Sequence, residues 1–109
     1  MRKKFKGYVY FIECQGFFKI GCSKDPKLRL NDMQVLNPFK CELIHTIKTN
    51  DMYLTERLFK DKFIKLNMRG EWFKLSYSDF AYIKLGKYDD DINKSIGNAF
   101  NPARIPNIL

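Results

Sequence analysis

The sequence predicts a small α+β domain, and three observations carry that prediction. Alternating residues over Gly7 to Glu13 (GYVYFIE) and Phe17 to Cys22 (FFKIGC) flank a Cys14-Gln15-Gly16 turn, the pattern of a two-stranded hairpin. Helix-start signals follow at Asp25-Pro26, at Thr49-Asn50-Asp51 and at Ser76 with Asp79. Between the first two lies CELIHTI, Cys41 to Ile47, which reads as a third strand.

A chain of 109 residues favours one domain with a modest core, and 45% hydrophobic with 16% aromatic residues excludes a disordered tail. No apolar run approaches the roughly 18 residues of a membrane helix. MRKKFKG passes from charges straight into a strand, unlike a signal peptide, so a soluble intracellular protein is expected, in the cytoplasm or nucleoid of a bacterial or infected cell. A net charge of +8 points to a polyanionic partner, nucleic acid ahead of an acidic protein. The three cysteines are odd in number and lack CxxC spacing, which argues against a disulfide framework. Cys41 and His45, four apart on a strand, share a face and with Cys14 and Cys22 offer a zinc set. The spacings match no compact metal motif, and buried free thiols with a structural histidine are the preferred account.

Residues 1–6 read as a basic, mobile arm. Tyr8, Tyr10 and Ile12 share one face of the first strand, with Val9 and Phe11 on the other. In the second, Phe17, Lys19 and Gly21 oppose Phe18, Ile20 and Cys22, so the hairpin is expected to be covered on both sides. Asp25 caps a helix with Pro26 at its first position, and the helix runs to Leu36, stopping before Asn37-Pro38. The helix after Asp51 continues to about Leu66. Asn67 to Gly70 is a loop, and EWFKL is a short strand or extended segment anchored in the core by Trp72 and Phe73. Ser76 and Asp79 form a capping box for a helix that Gly86 ends. A short helix near Ile92 to Ile96 and an extended tail, NAFNPARIPNIL, complete the chain. The resulting division is a 1–6 arm, a 7–88 domain and an 89–109 C-terminal extension.

Two charges stand out against this pattern. At 100° per residue, Glu56 falls in the middle of a face shared with Met52, Tyr53, Phe59, Phe63, Ile64 and Leu66, with Lys60 one turn on. A carboxylate there is costly unless paired or bound to a cation. Arg29 lies on the face of Met33 and Leu36. Two accounts stay open: a buried Arg29–Glu56 salt bridge, or a phosphate site in which Arg29 holds the phosphate and Glu56 a divalent metal. Tyr10 and Lys19 join that site if their strand faces pack toward the two helices. Otherwise Tyr10 is a core tyrosine and Lys19 a side chain snorkelling at the sheet margin.

Val9-Tyr10, Lys19-Ile20-Gly21, Arg29 and Glu56, in that order, resemble the GIY-YIG nuclease superfamily. The KIG triplet and GEWF at Gly70 to Phe73 are similar to its phage-type DNA-binding branch. The resemblance covers about Gly7 to Ile83. It implies a three-stranded antiparallel sheet flanked by helices, DNA binding, and magnesium- (or manganese-) dependent phosphodiester hydrolysis. It further implies that Tyr10 orients or deprotonates the attacking water, Arg29 contacts phosphate and Glu56 binds metal, with Lys19 beside Tyr10. Tyr8 replaces the first-motif glycine and Lys19 the second-motif tyrosine. Met33 and Lys60 stand where some members carry histidine.

The expected nucleic-acid contacts are Lys24, Lys27, Arg57, Lys60 and Arg69, with Lys62 and Lys65 near them. Glu71 has two readings, a metal or DNA-side contact or a turn cap. The functions that fit are a DNA endonuclease acting as a monomer or weak homodimer, a DNA-binding module that does not cut, and a viral or phage interaction domain using the tail after Asn98. Richness in Lys, Asn, Phe and Ile suits a phage, a virus or an AT-rich bacterium.

Overall fold

A computed structural model describes residues 2–97; the expected extended tail lies outside the described residues. Strands β1 (Gly7–Cys14) and β2 (Phe17–Ser23) form the hairpin that the alternation predicts, with Tyr10 opposite Gly21 and Ile12 opposite Lys19. Helix α1 (Pro26–Val35) follows, then β3 (Cys41–Thr49), which pairs antiparallel with the other edge of β1. Helix α2 (Met52–Lys62) ends in a 3-10 turn at Ile64–Leu66. Strands β4 (Asn67–Arg69) and β5 (Trp72–Phe73) precede helices α3 (Tyr77–Leu85) and α4 (Asp90–Ile96).

The sheet has five strands in the order β3-β1-β2-β5-β4, not the expected three. The additional hairpin covers the edge of β2, whose backbone groups would otherwise be unpaired. Phe18 pairs with Phe73 and Lys19 with Trp72, and the Ile20 amide donates to the Glu71 carbonyl at 3.1 Å. Asn67 Nδ2 staples the tight connection, donating to the carbonyls of Gly70 (2.8 Å) and Trp72 (3.1 Å). Gly70 itself has φ +54°, which a residue with a Cβ adopts only under strain. Strands this short carry no readable periodicity.

Helices cover both faces of the sheet. Val9, Phe11 and Ile20 face α2, α3 and α4, in a core with Phe59, Phe63, Ile83, Tyr88, Ile92 and Ile96. Phe59 meets Phe11 and Tyr88 edge-on, with ring centroids 5.4 and 5.2 Å apart. Tyr10, Ile12, Cys14 and Cys41 face the opposite way, against Leu30 and Met33 of α1. Burial of apolar area on both faces is the main source of stability. Where α4 reaches β3 and α2, the buried hydroxyls of Thr49, Thr55 and Ser95 bond one another at 2.6–2.7 Å. Each thereby avoids the cost of an unsatisfied buried polar group. No helix among the described residues is long and apolar enough to cross a membrane.

The basic arm is docked on α2. The Phe5 carbonyl accepts from the Met52 amide at 2.9 Å, supplying an acceptor for an unpaired helix N-terminal donor. Arg2 forms an ion pair with Asp51, whose side chain is buried. The Arg2 guanidinium holds the Asp51 carboxyl below the usual carboxylate range. A carboxyl lowered on folding contributes stability that is complete above its unfolded pKa of about 4 and is lost as pH falls through the lowered value. Arg2→Ala is therefore expected to lower the melting temperature at about pH 7, with the gap to wild type closing as pH falls through the lowered Asp51 pKa. A gap independent of pH would exclude the ion pair as its cause.

Candidate active site

Tyr10 lies across Gly21, its partner on β2, and is only 1% exposed. A Cβ built at Gly21 would sit 2.3 Å from the phenol oxygen, so glycine is what lets the ring lie against the strand. The β2–α1 connection brings Arg29 to this ring. Ser23 Oγ accepts from the Asp25 amide (2.9 Å), Asp25 Oδ1 accepts from the Leu28 amide (3.2 Å), and the Asp25 carbonyl accepts from the Arg29 amide (3.2 Å). This fixes the first turn of α1. Arg29 remains exposed, and hydrogen bonding to Tyr10, with smaller contributions from Asp32 and Glu71, raises its pKa further above that of free arginine.

The other charges meet at the edge of β2. Glu56 is on the opposite face of the sheet from Tyr10, where Cys22 Sγ donates to its Oε1 (3.1 Å) and Lys60 Nζ contacts its Oε2 (2.7 Å). Lys60 also donates to Glu71 Oε2 at 2.8 Å, while Lys19, from the Tyr10 face, holds Glu71 Oε1 at 2.8 Å. Glu71 therefore joins the two faces around the strand edge. Burial opposes ionisation of Glu71, but the ammonium groups of Lys19 and Lys60 outweigh it and lower its pKa. Burial opposes the charge on Lys60 too, and the two carboxylates outweigh that and raise its pKa. Burial, then the Glu56 carboxylate, pushes the Cys22 thiol up to about 12, so it is a poor nucleophile.

Tyr10, Lys19 and Arg29 therefore gather on one face, and Glu56 reaches them through Lys60 and Glu71. The open alternative of an Arg29–Glu56 salt bridge is not what forms, since Glu56 pairs with Lys60. The helical wheel also needs correction. Met52, Phe59 and Phe63 are buried, but Tyr53 is 54% and Ile64 60% exposed, so Glu56 borders the apolar face and is not at its centre. Leu36, expected beside Arg29, is exposed. Lys24, Lys27, Arg57 and Arg69 are exposed, whereas Lys60 is held between two carboxylates. Trp72 is half-buried: it packs against the Tyr10, Ile12, Cys14 and Cys41 cluster, as expected, and also forms one wall of an open cleft.

The possible zinc set disperses. A bulge between Phe11 and Ile12 in the β1–β3 pairing puts Cys41 opposite Cys14 on one face and His45 against Phe11 on the other, despite their four-residue spacing. No group of three or more His, Cys, Asp or Glu among the described residues is placed to hold a metal. Two carboxylates around one ammonium are a different case. Glu56 and Glu71 offer hard oxygen donors, and Lys60 Nζ lies between them at 2.7 and 2.8 Å. Magnesium can be held by one or two carboxylates, with water and substrate phosphate completing its shell.

Glu71 and Cys22 are the participants that the sequence motifs understate. The available signal for Glu71 is an acid inside a short apolar segment, GEWF. A T5orf172 domain model matches residues 7–86, from the start of β1 to the glycine that ends α3, and takes in all of these groups. No curated protein and no solved structure matches the chain. The T5orf172 domain is phage-associated, related to a GIY-YIG-like nuclease fold, and compatible with a DNA-binding or nuclease-like module. The chain belongs to the T5orf172 domain family.

Proposed function

We propose that this domain is a DNA endonuclease that hydrolyses phosphodiester bonds with magnesium or manganese, inside a bacterial or infected cell. The observation that carries the reading is Tyr10 packed over Gly21 with the Arg29 guanidinium at its hydroxyl, Lys19 on the same face, and Glu71 linking that face around the strand edge to Lys60 and Glu56. Arg29, exposed and already ordered by the first turn of α1, binds a phosphate oxygen and stabilises charge as it develops. Tyr10 orients the attacking water and relays its proton, with the Arg29 guanidinium beside its hydroxyl. Lys24, Lys27, Arg57 and Arg69 hold the flanking phosphates. Glu56, with Glu71, would hold the metal, which supplies Lewis-acid stabilisation of the phosphoryl oxygens.

A second reading, a DNA-binding module that does not cut, has one observation in its favour. Lys60 and Lys19 together already balance the two carboxylates, so a DNA backbone can approach without a metal. Conversion of supercoiled plasmid to open circle separates the two: with magnesium the nuclease accumulates open circle and with chelator it does not. Binding that weakens steeply with salt and no open circle under either metal supports the second reading.

A further inference from the structure

We propose that the cleft beside Lys19 is a binding site for an unstacked nucleobase of single-stranded or frayed DNA. This rests on the DNA-binding reading above and adds a ligand class to it. The cleft, of about 550 Å³, lies where the β1–β2 turn, the segment after α1 and the β4–β5 hairpin converge, and Phe17, Phe39, Met68, Arg69 and Trp72 line it. Phe39 is 51% and Met68 58% exposed, which leaves apolar surface open to water on a chain carrying +8. An apolar protein partner would gain little from that charge, whereas a nucleotide uses both parts of the site.

Two contacts make the cleft continuous with the phosphate site. Trp72 is the cross-strand partner of Lys19, and the Lys19 ammonium lies 5.9 Å from the centre of the indole ring. Lys19 in turn faces the same side of the sheet as Tyr10. A strand whose phosphate rests on Arg29 can therefore run past Lys19 and turn a neighbouring base into the cleft. There Trp72 and Phe39 offer ring faces, Met68 a polarisable thioether, and Arg69 a cation at the rim. A base stacked in a duplex cannot enter, so the site favours a strand that is already unpaired or easily frayed.

Trp72 is the one tryptophan of the chain and reports on the cleft by its own fluorescence. The probes are oligothymidylate, an abasic strand of equal length, and a duplex. Oligothymidylate is expected to quench Trp72 and to bind about tenfold more tightly than the abasic strand. Phe39→Ala and Met68→Ala, both at exposed positions, are expected to reduce that preference at least about threefold. Equal binding of thymidylate and abasic strands without quenching, while the duplex still binds, overturns the cleft proposal and leaves the DNA reading intact. Base-independent binding by a dimer that Phe39→Ala dissociates would overturn it in favour of a second copy of the chain. Binding of no strand at all overturns the DNA reading, and the cleft proposal with it.

Discussion

Gly21→Ala is expected to lose nicking activity by about 10²-fold and to be destabilised by about 1–3 kcal/mol. The added methyl group would meet the Tyr10 phenol oxygen at 2.3 Å and the ring carbon bearing it at 2.4 Å. A rigid ring cannot yield at its tip as a lysine would, and Tyr10 is fully buried, so ring or strand must shift. Either movement carries the hydroxyl away from Arg29. Urea denaturation measures the first effect and plasmid nicking the second. Pairing Gly21→Ala with Tyr10→Leu removes the clash, so the double variant should lose less stability than the sum of the two single losses. Strict additivity would show that the glycine is needed for another reason.

Glu56→Gln is expected to reduce nicking at least about 10²-fold while leaving the fold and duplex binding in place. Glutamine keeps the size of the side chain and an acceptor for Cys22, and Lys60 retains Glu71 as its counter-charge. No buried charge is left alone, so the stability change should be about 1 kcal/mol. Loss of one negative charge beside the phosphate path should, if anything, strengthen binding at low salt. Equal loss of binding and nicking would instead mark Glu56 as a structural residue.

How much was legible in the sequence follows from how local each signal is. The β1–β2 hairpin, the Asp25-Pro26 start of α1, and the Ser76–Asp79 capping box closed by Gly86 each rest on neighbours within a few residues, and all form as expected. The β4–β5 hairpin escaped because Asn67–Arg69 and Trp72–Phe73 are too short to alternate; only the free edge of β2 makes them strands. His45 and Cys41 were placed on one face because alternation assumes no bulge, and the bulge depends on β1. The helical wheel carried Ile64 and Leu66 along α2, yet the helix ends at Lys62. Of the candidate site, the motif residues on β1, β2 and α1 were legible. The pairing of Glu71 with Lys19 and Lys60 was not, since these partners come from β2 and α2, far away in sequence.

The most direct test of the nuclease reading compares wild type with Tyr10→Phe on supercoiled plasmid, with magnesium and with chelator, alongside the duplex affinity of each protein. The ring of Tyr10 fills the same space in both, so only the hydroxyl beside Arg29 is removed. The account predicts open circle from wild type with magnesium alone, and a loss of about 10²-fold or more in Tyr10→Phe at unchanged affinity. Nicking by Tyr10→Phe at the wild-type rate, or none by wild type with magnesium or manganese, would contradict it.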